Sequence, residues 1–136
     1  MTESLAGKRI FVIEDNAYNV ALLQTILQQN GAIVAFERWG KDTLRLLRNF
    51  APVDLILLDL MFPRGVTGYD VFDEIRTAPE FQQVPIVAVT AADPDEEMPK
   101  VRAKGFSGFI RKPIRYGVFE RQLADVLAGK SIWAVE

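Results

Sequence analysis

The sequence predicts an α/β fold, a doubly wound, five-stranded parallel sheet with strand order 2-1-3-4-5. Three observations carry this. Short apolar runs alternate with amphipathic stretches along the 136 residues, the pattern of repeated βα units. The run Leu55-Ile56-Leu57-Leu58 is apolar at every position, and a strand hydrophobic on both faces belongs inside a parallel sheet covered by helices. The units are short enough for each right-handed crossover to return the chain to the same sheet.

Ile10-Phe11-Val12-Ile13 is the first strand, rich in β-branched residues. After Glu14-Asp15-Asn16 the period becomes helical, with Asp15 or Asn16 as cap and Val20, Leu23, Ile26 and Leu27 on one face until Gly31. Ile33 to Phe36 is a second strand and Lys41 to Phe50 a second helix, with Leu44, Leu47 and Phe50 inward. Pro52 separates it from the third strand, Leu55 to Leu58, and Tyr69 to Arg76 is the third helix, with Val71, Phe72 and Ile75 apolar. Pro85 opens the fourth strand, Ile86 to Val89, which ends at Thr90. Proline fits a first helical turn but costs ~3 kcal/mol inside a helix, so the fourth helix is expected to begin near Met98 or Pro99 and end at Gly105. Phe106 to Ile110 is the fifth strand and Tyr116 to Leu127 the last helix, with Phe119, Leu123, Val126 and Leu127 inward. Residues 129–136 form a tail without an assigned element, leaving one domain over residues 8–128.

Composition narrows the chemistry. Cysteine and histidine are absent, which removes disulfides, thiolate or imidazole metal ligands, cysteine nucleophiles and imidazole bases. A net charge of −2 from 16 basic and 18 acidic residues offers no broad polyanion-binding surface, so nucleic acid is not an expected partner. Met1 to Lys8 lacks a secretory pattern and no apolar run approaches a membrane span. A cytoplasmic protein with no membrane partner is the expectation.

In the order 2-1-3-4-5 the first and third strands are neighbours, and ligands of such sheets bind beyond the carboxyl ends of the strands at that switch point. Glu14 and Asp15 then stand beside Asp59. Three converging acids repel one another and call for a cation. Oxygen donors without nitrogen or sulfur suit Mg²⁺, which commonly shares its shell with phosphate. Thr90, after the fourth strand, adds a hydroxyl donor, and Lys112, after the fifth, an ammonium. Alone, each is an ordinary cap or solvated loop residue. Their succession after the first, third, fourth and fifth strands points to one phosphoryl-handling site.

Taken together, Val12-Ile13-Glu14-Asp15-Asn16, Asp59 with Pro63 four positions on, Val89-Thr90-Ala91 and Lys112-Pro113 resemble a receiver domain of a two-component response regulator. The resemblance covers residues 8–128. Asp15-Asn16 followed by Asn19 is further similar to receivers that occur as single-domain regulators or within hybrid sensor kinases. The resemblance implies flavodoxin-like topology, and it implies that Asp59 is a phosphoacceptor served by a phosphohistidine on a sensor histidine kinase or histidine phosphotransfer protein. It implies Mg²⁺ held by Asp15, Asp59 and the Met61 backbone carbonyl, with Glu14 acting through water or indirectly, and Lys112 on the phosphoryl oxygens. Thr90 and Phe109 take the positions of the family's switch residues. The implied function is a stand-alone receiver, not a turnover enzyme, that changes its binding to a downstream protein target, acts within a phosphorelay, or forms a homodimer. Two rivals are a small Asp-nucleophile phosphatase, which generally needs a carboxylate where Met61 stands, and a docking module independent of phosphorylation.

Three departures from the family pattern stand out. The loop Arg64-Gly65-Val66-Thr67 is one residue longer than the commonest spacing, Phe62 replaces the usual Met or Leu, and Pro99 is expected to shorten the fourth helix and so alter partner or dimer preference. Met61 and Ala92 occupy positions that influence phosphoryl lifetime, and neither side chain easily orients a water, so slow autodephosphorylation is expected. Ala128-Gly129-Lys130-Ser131 only partly resembles a phosphate loop, and Trp133, Trp39, Arg111, Arg115 and Arg121 are read as packing or solvated residues.

Overall fold

The computed structural model describes residues 4–62 and 65–134. Six parallel strands form one sheet in the order β2-β1-β3-β4-β5-β6: β1 Arg9–Ile13, β2 Ile33–Glu37, β3 Leu55–Leu58, β4 Ile86–Thr90, β5 Gly108–Arg111 and β6 Ile132–Ala134. The expected order of the first five is found. The sixth strand comes from the tail, where Ile132 lies opposite Gly108, Trp133 opposite Phe109 and Ala134 opposite Ile110. Three residues are too few to announce a strand by periodicity. What defines it is the open edge of β5.

Side-chain alternation sorts the core onto two faces. Phe11, Ile13, Ile56, Leu58, Ile86, Ala88 and Phe109 face one cluster with Leu47, Val71, Phe72, Ile75 and Val101, which come from α2 (Thr43–Phe50), α3 (Gly68–Thr77) and α4 (Pro94–Lys104). Ile10, Val12, Leu55, Leu57, Val87, Val89 and Ile110 face the other, with Leu23, Ile26, Leu27, Phe119, Leu123 and Val126 from α1 (Ala17–Gln29) and α5 (Phe119–Leu127). All of β3 is buried, as its unbroken apolar run requires. A one-residue slip would exchange the two faces of a strand, so this burial fixes the register.

The fourth helix corrects the sequence reading. It starts at Pro94 and runs through Pro99. Asp93 caps it by accepting from the Asp95 N–H, Pro94 occupies the first turn, Asp95, Glu96 and Glu97 lie at the positive end, and Arg102 and Lys104 at the negative end. These terms favour the helix at its ends and offset the interior proline. Pro99 and Asp95 are both exposed, so water can serve the Asp95 carbonyl that Pro99 leaves without a helical donor. The expected short helix, and the partner preference drawn from it, lose their basis. Two smaller differences concern starts: α2 begins at Thr43, and residues 116–118 are a turn ahead of α5.

Candidate functional site

The site is built at the carboxyl ends of β1, β3, β4 and β5. Asn16 caps α1 by accepting from the Asn19 N–H at 3.0 Å, which turns the chain just after the acidic pair. The Asn16 N–H donates to Glu14 Oε2 at 3.2 Å. Glu14 is 2% exposed and Asp59 7%, while Asp15 is half-buried. One carboxylate oxygen from each of the three lies within 4.8 Å of the others. The expected trio is therefore brought together.

Asp59 leaves β3 through backbone bonds that fix it. Its N–H donates to the Ile13 carbonyl at 3.1 Å, and the Met61 N–H donates to Asp59 Oδ1 at 3.3 Å. Behind it, a Cβ on Gly68 would lie 2.3 Å from the Asp59 carbonyl oxygen. Only glycine lets α3 start this close. Thr67 closes the loop by bridging to Met61 and by capping α3 in a reciprocal box with Asp70. Pro63 and Arg64, one part of the resemblance and one of the longer loop, lie outside the described residues. Phe62 packs against the core, as read.

Lys112 crosses the site from β5. Its Nζ donates to Glu14 Oε1 at 2.6 Å and to Asp59 Oδ2 at 3.1 Å. Burial pulls the Lys112 ammonium down, but the Asp59 and Glu14 carboxylates outweigh it and hold its pKa above the ordinary lysine value. Glu14 moves up: burial raises its pKa and Asp59 adds repulsion, beyond what the Lys112 hydrogen bond returns. Thr90 is fully buried and its Oγ1 accepts from the Ala92 N–H at 3.2 Å, while the Lys112 N–H donates to the Thr90 carbonyl at 2.9 Å. The ends of β4 and β5 are thus tied together. Phe109 is fully buried beneath them, beside Ala88 of β4 in register.

Sequence reasoning missed two contributors. Arg38 donates from Nη2 and Nε to the Asp15 carbonyl at 2.7 and 3.2 Å, holding the acidic loop from the end of β2. Glu37 is buried and accepts from Thr43 Oγ1 at 2.5 Å and from the Asp42 N–H at 2.7 Å, which anchors the start of α2. Neither lies within a recognisable spacing motif. Only the pairing of β2 with β1 brings Arg38 to Asp15.

The chain as a whole is similar to known proteins. Residues 10–123 match the model of the response regulator receiver domain. The chain belongs to the response regulator receiver family. As a receiver it is 32% identical over 107 residues to the polar-differentiation response regulator DivK of Brucella ovis, covering 79% of this chain and 85% of DivK. The receiver domain of a Pseudomonas aeruginosa PAO1 sensor histidine kinase, solved with a magnesium ion coordinated in its active site cleft, has a TM-score of 0.74 at 27% identity, with 91% of this chain and 97% of that one covered. The BeF3-activated receiver of Klebsiella pneumoniae RstA has a TM-score of 0.79 at 27% identity, with 88% and 98% covered. The fold is the flavodoxin-like receiver fold, with a sixth strand added at the β5 edge.

The acidic trio could hold a metal ion. Its donors are all oxygen, as a hard divalent cation prefers, and the single positive charge of Lys112, shared between Glu14 and Asp59, leaves the trio net negative. Among the described residues no helix is long and apolar enough to cross a membrane.

Proposed function

We propose that this receiver, over residues 8–128, accepts a phosphoryl group on Asp59 from a phosphohistidine of a sensor histidine kinase or histidine phosphotransfer protein, in a Mg²⁺-dependent reaction in the cytoplasm. The observation that carries this reading is Lys112 Nζ bridging Asp59 and Glu14, with Asp15 within reach, at the carboxyl edge of the sheet. Asp15, Asp59 and the Met61 carbonyl are the proposed ligands of Mg²⁺, and Glu14 supports them from behind. When bound, the ion supplies positive charge to the phosphoryl oxygens.

A carboxylate oxygen of ionised Asp59 attacks phosphorus, the new P–O bond forms as the P–N bond breaks, and the imidazole leaves with the electron pair. Lys112 then exchanges part of its hydrogen bonding from the carboxylates to a phosphoryl oxygen. Such transfer depends mainly on positioning and electrostatic stabilisation. Thr90 donates its hydroxyl to a phosphoryl oxygen and draws the β4–α4 loop inward, and Phe109 adjusts below it. A group bearing nearly two negative charges is a sufficient local cause. The output is altered binding to a protein target. DivK, a response regulator aligned over most of its own length, supports a single-domain regulator.

Met61 is 61% exposed and supplies no carboxyl to act as an acid, so the reading is a switch, not a phosphatase. Incubation with acetyl phosphate and Mg²⁺ tests it by intact-mass spectrometry. One phosphoryl mass, lost on Asp59→Asn and on chelation, is expected. Continuous phosphate release, or no adduct at all, overturns it.

A further inference from the structure

One row of register partners crosses the sheet directly under the site. Ile13 lies opposite Leu58, Leu58 opposite Ala88, Ala88 opposite Phe109 and Phe109 opposite Trp133. All five face the same side and pack in the same cluster. The row begins at the residues immediately before Glu14 and Asp59, passes two residues before Thr90, and ends on the edge strand β6. Its first four members are fully buried, and Trp133 is half-buried.

The edge strand holds three other parts of the molecule. The Arg102 guanidinium of α4 lies 4.5 Å from the Trp133 ring centroid, a cation–π contact. Ile132 and Ala134 turn to the opposite face and pack in the cluster with Phe119 and Leu123 of α5. The backbone approach depends on Gly108, where a Cβ would lie 2.6 Å from the Ile132 carbonyl oxygen. Yet the strand is only three residues long, so it is the part of the sheet that opens most easily.

We infer that β6 is a latch on the receiver, in which Trp133 holds Phe109 and α4, and Ile132 and Ala134 hold α5, in the unphosphorylated arrangement, and which is released when Asp59 is phosphorylated. This rests on the phosphoacceptor reading above. Thr90 shares the face of Ala88, and Ala88 is the one small side chain in the row. When Thr90 draws toward the phosphoryl group, room opens over Ala88, the Phe109 ring turns into it, and Trp133 loses its in-register neighbour. With the neighbour gone, the strand keeps the Arg102 contact, the α5 side and its short backbone pairing with β5, and three residues of pairing are few enough to open. By linkage, weakening the latch favours the phosphoryl-bound state to the same degree that the bound state loosens the latch.

Trp39→Phe leaves Trp133 as the sole tryptophan of the chain and alters an exposed position. In this background, Trp133 emission and acrylamide quenching are compared in Mg²⁺ alone and in Mg²⁺ with beryllofluoride, and the same preparation is checked for its acetyl phosphate adduct. A red shift and stronger quenching are expected with beryllofluoride. In a separate arm, Arg102→Ala, a change on the exposed side of α4, and Gly108→Ala, which pushes β6 off its edge, should each tighten the apparent beryllofluoride affinity about fivefold. Circular dichroism establishes that each variant is folded, and Arg102→Ala carries the arm if Gly108→Ala is not. An adduct with unmoved Trp133 fluorescence, or an unchanged affinity in Arg102→Ala, overturns the latch alone. Failure to form any adduct overturns the phosphoacceptor reading and the latch with it.

Discussion

Replacing Lys112 with Met, which keeps much of the chain length and removes the charge, isolates the electrostatic core of the site. Its Nζ bridges Glu14 and Asp59 at 2.6 and 3.1 Å, with the lysine side chain 15% exposed and the carboxylates 2% and 9%. Removing one partner of a buried pair typically costs 3–5 kcal/mol, because the other charge is stranded. The slight exposure of Lys112 places the expected loss at the lower end, about 3 kcal/mol. Urea unfolding of both proteins with a chelator near neutral pH reads this loss directly.

The pH dependence has a definite sign. Lys112 has its folded pKa raised above the ordinary 10.5, so its contribution is complete below that value and is lost as pH rises through the folded pKa. Neutral pH therefore reads its whole effect. Glu14 is raised above the ordinary 4.5, so the folded state binds more protons and stability from this group falls as pH rises through its window. In Lys112→Met the hydrogen bond that lowers Glu14 is gone, the window moves upward, and mild acid should narrow the gap by neutralising the stranded carboxyl. Saturating Mg²⁺ should narrow it as well, by compensating the same charges. A deficit below about 1 kcal/mol, the worth of a surface pair, or one that neither acid nor Mg²⁺ moves, would refute the reasoning.

Other substitutions test the elements around the site. Pro99→Ala removes an interior helix breaker worth ~3 kcal/mol and returns about 1 kcal/mol of unfolded-state entropy, so a net stabilisation of about 2 kcal/mol should raise the thermal midpoint by several degrees; no rise would contradict the helix over Pro94–Lys104. Thr67→Ala removes the side-chain half of the capping box at α3 and should lower the urea stability by about 1 kcal/mol. Tyr69→Phe deletes the 2.5 Å hydrogen bond from the Tyr69 hydroxyl to Glu97 that joins α3 to α4, at an expected cost of about 1.5 kcal/mol. In the parent, burial and then Glu97 push the Tyr69 phenol well above the ordinary 10.0, so an alkaline absorbance titration should lose a late-ionising group in the variant. Neither Met61 nor Ala92 offers a group to align an attacking water, so the phosphorylated protein should decay over minutes or longer; decay within seconds by mass spectrometry would count against this.

Most of the sheet was legible in the chain. Strands buried on both faces, such as β3 and β4, need apolar residues at every position, and those runs are visible without partners. The acidic cluster was legible for a related reason: a fixed strand order carries the ends of β1, β3, β4 and β5 to one edge, so Glu14, Asp15, Asp59 and Lys112 meet although 98 residues separate Lys112 from Glu14. The fourth helix was misjudged because the cost of Pro99 is local and conspicuous, whereas its compensation is divided among Asp93, the acidic first turn and the basic last turn. Each of those terms is small, and only their sum decides.

The sequence by itself determined the βα alternation and the oxygen-only donors of the acidic trio, which follow from side-chain period and residue type, and through right-handed crossovers it pointed to the order of the first five strands. Tertiary structure alone decided what depends on neighbours distant in the chain. Arg38 reaches the Asp15 carbonyl because β2 pairs with β1. Gly68 is required because α3 starts against the backbone of Asp59. Ile132–Ala134 becomes a strand because β5 presents unpaired backbone groups that three residues of tail can satisfy. Hydrogen bonds along a sheet edge place almost no demand on side-chain pattern, so the strand that ends the row beneath Asp59 leaves little trace in the sequence.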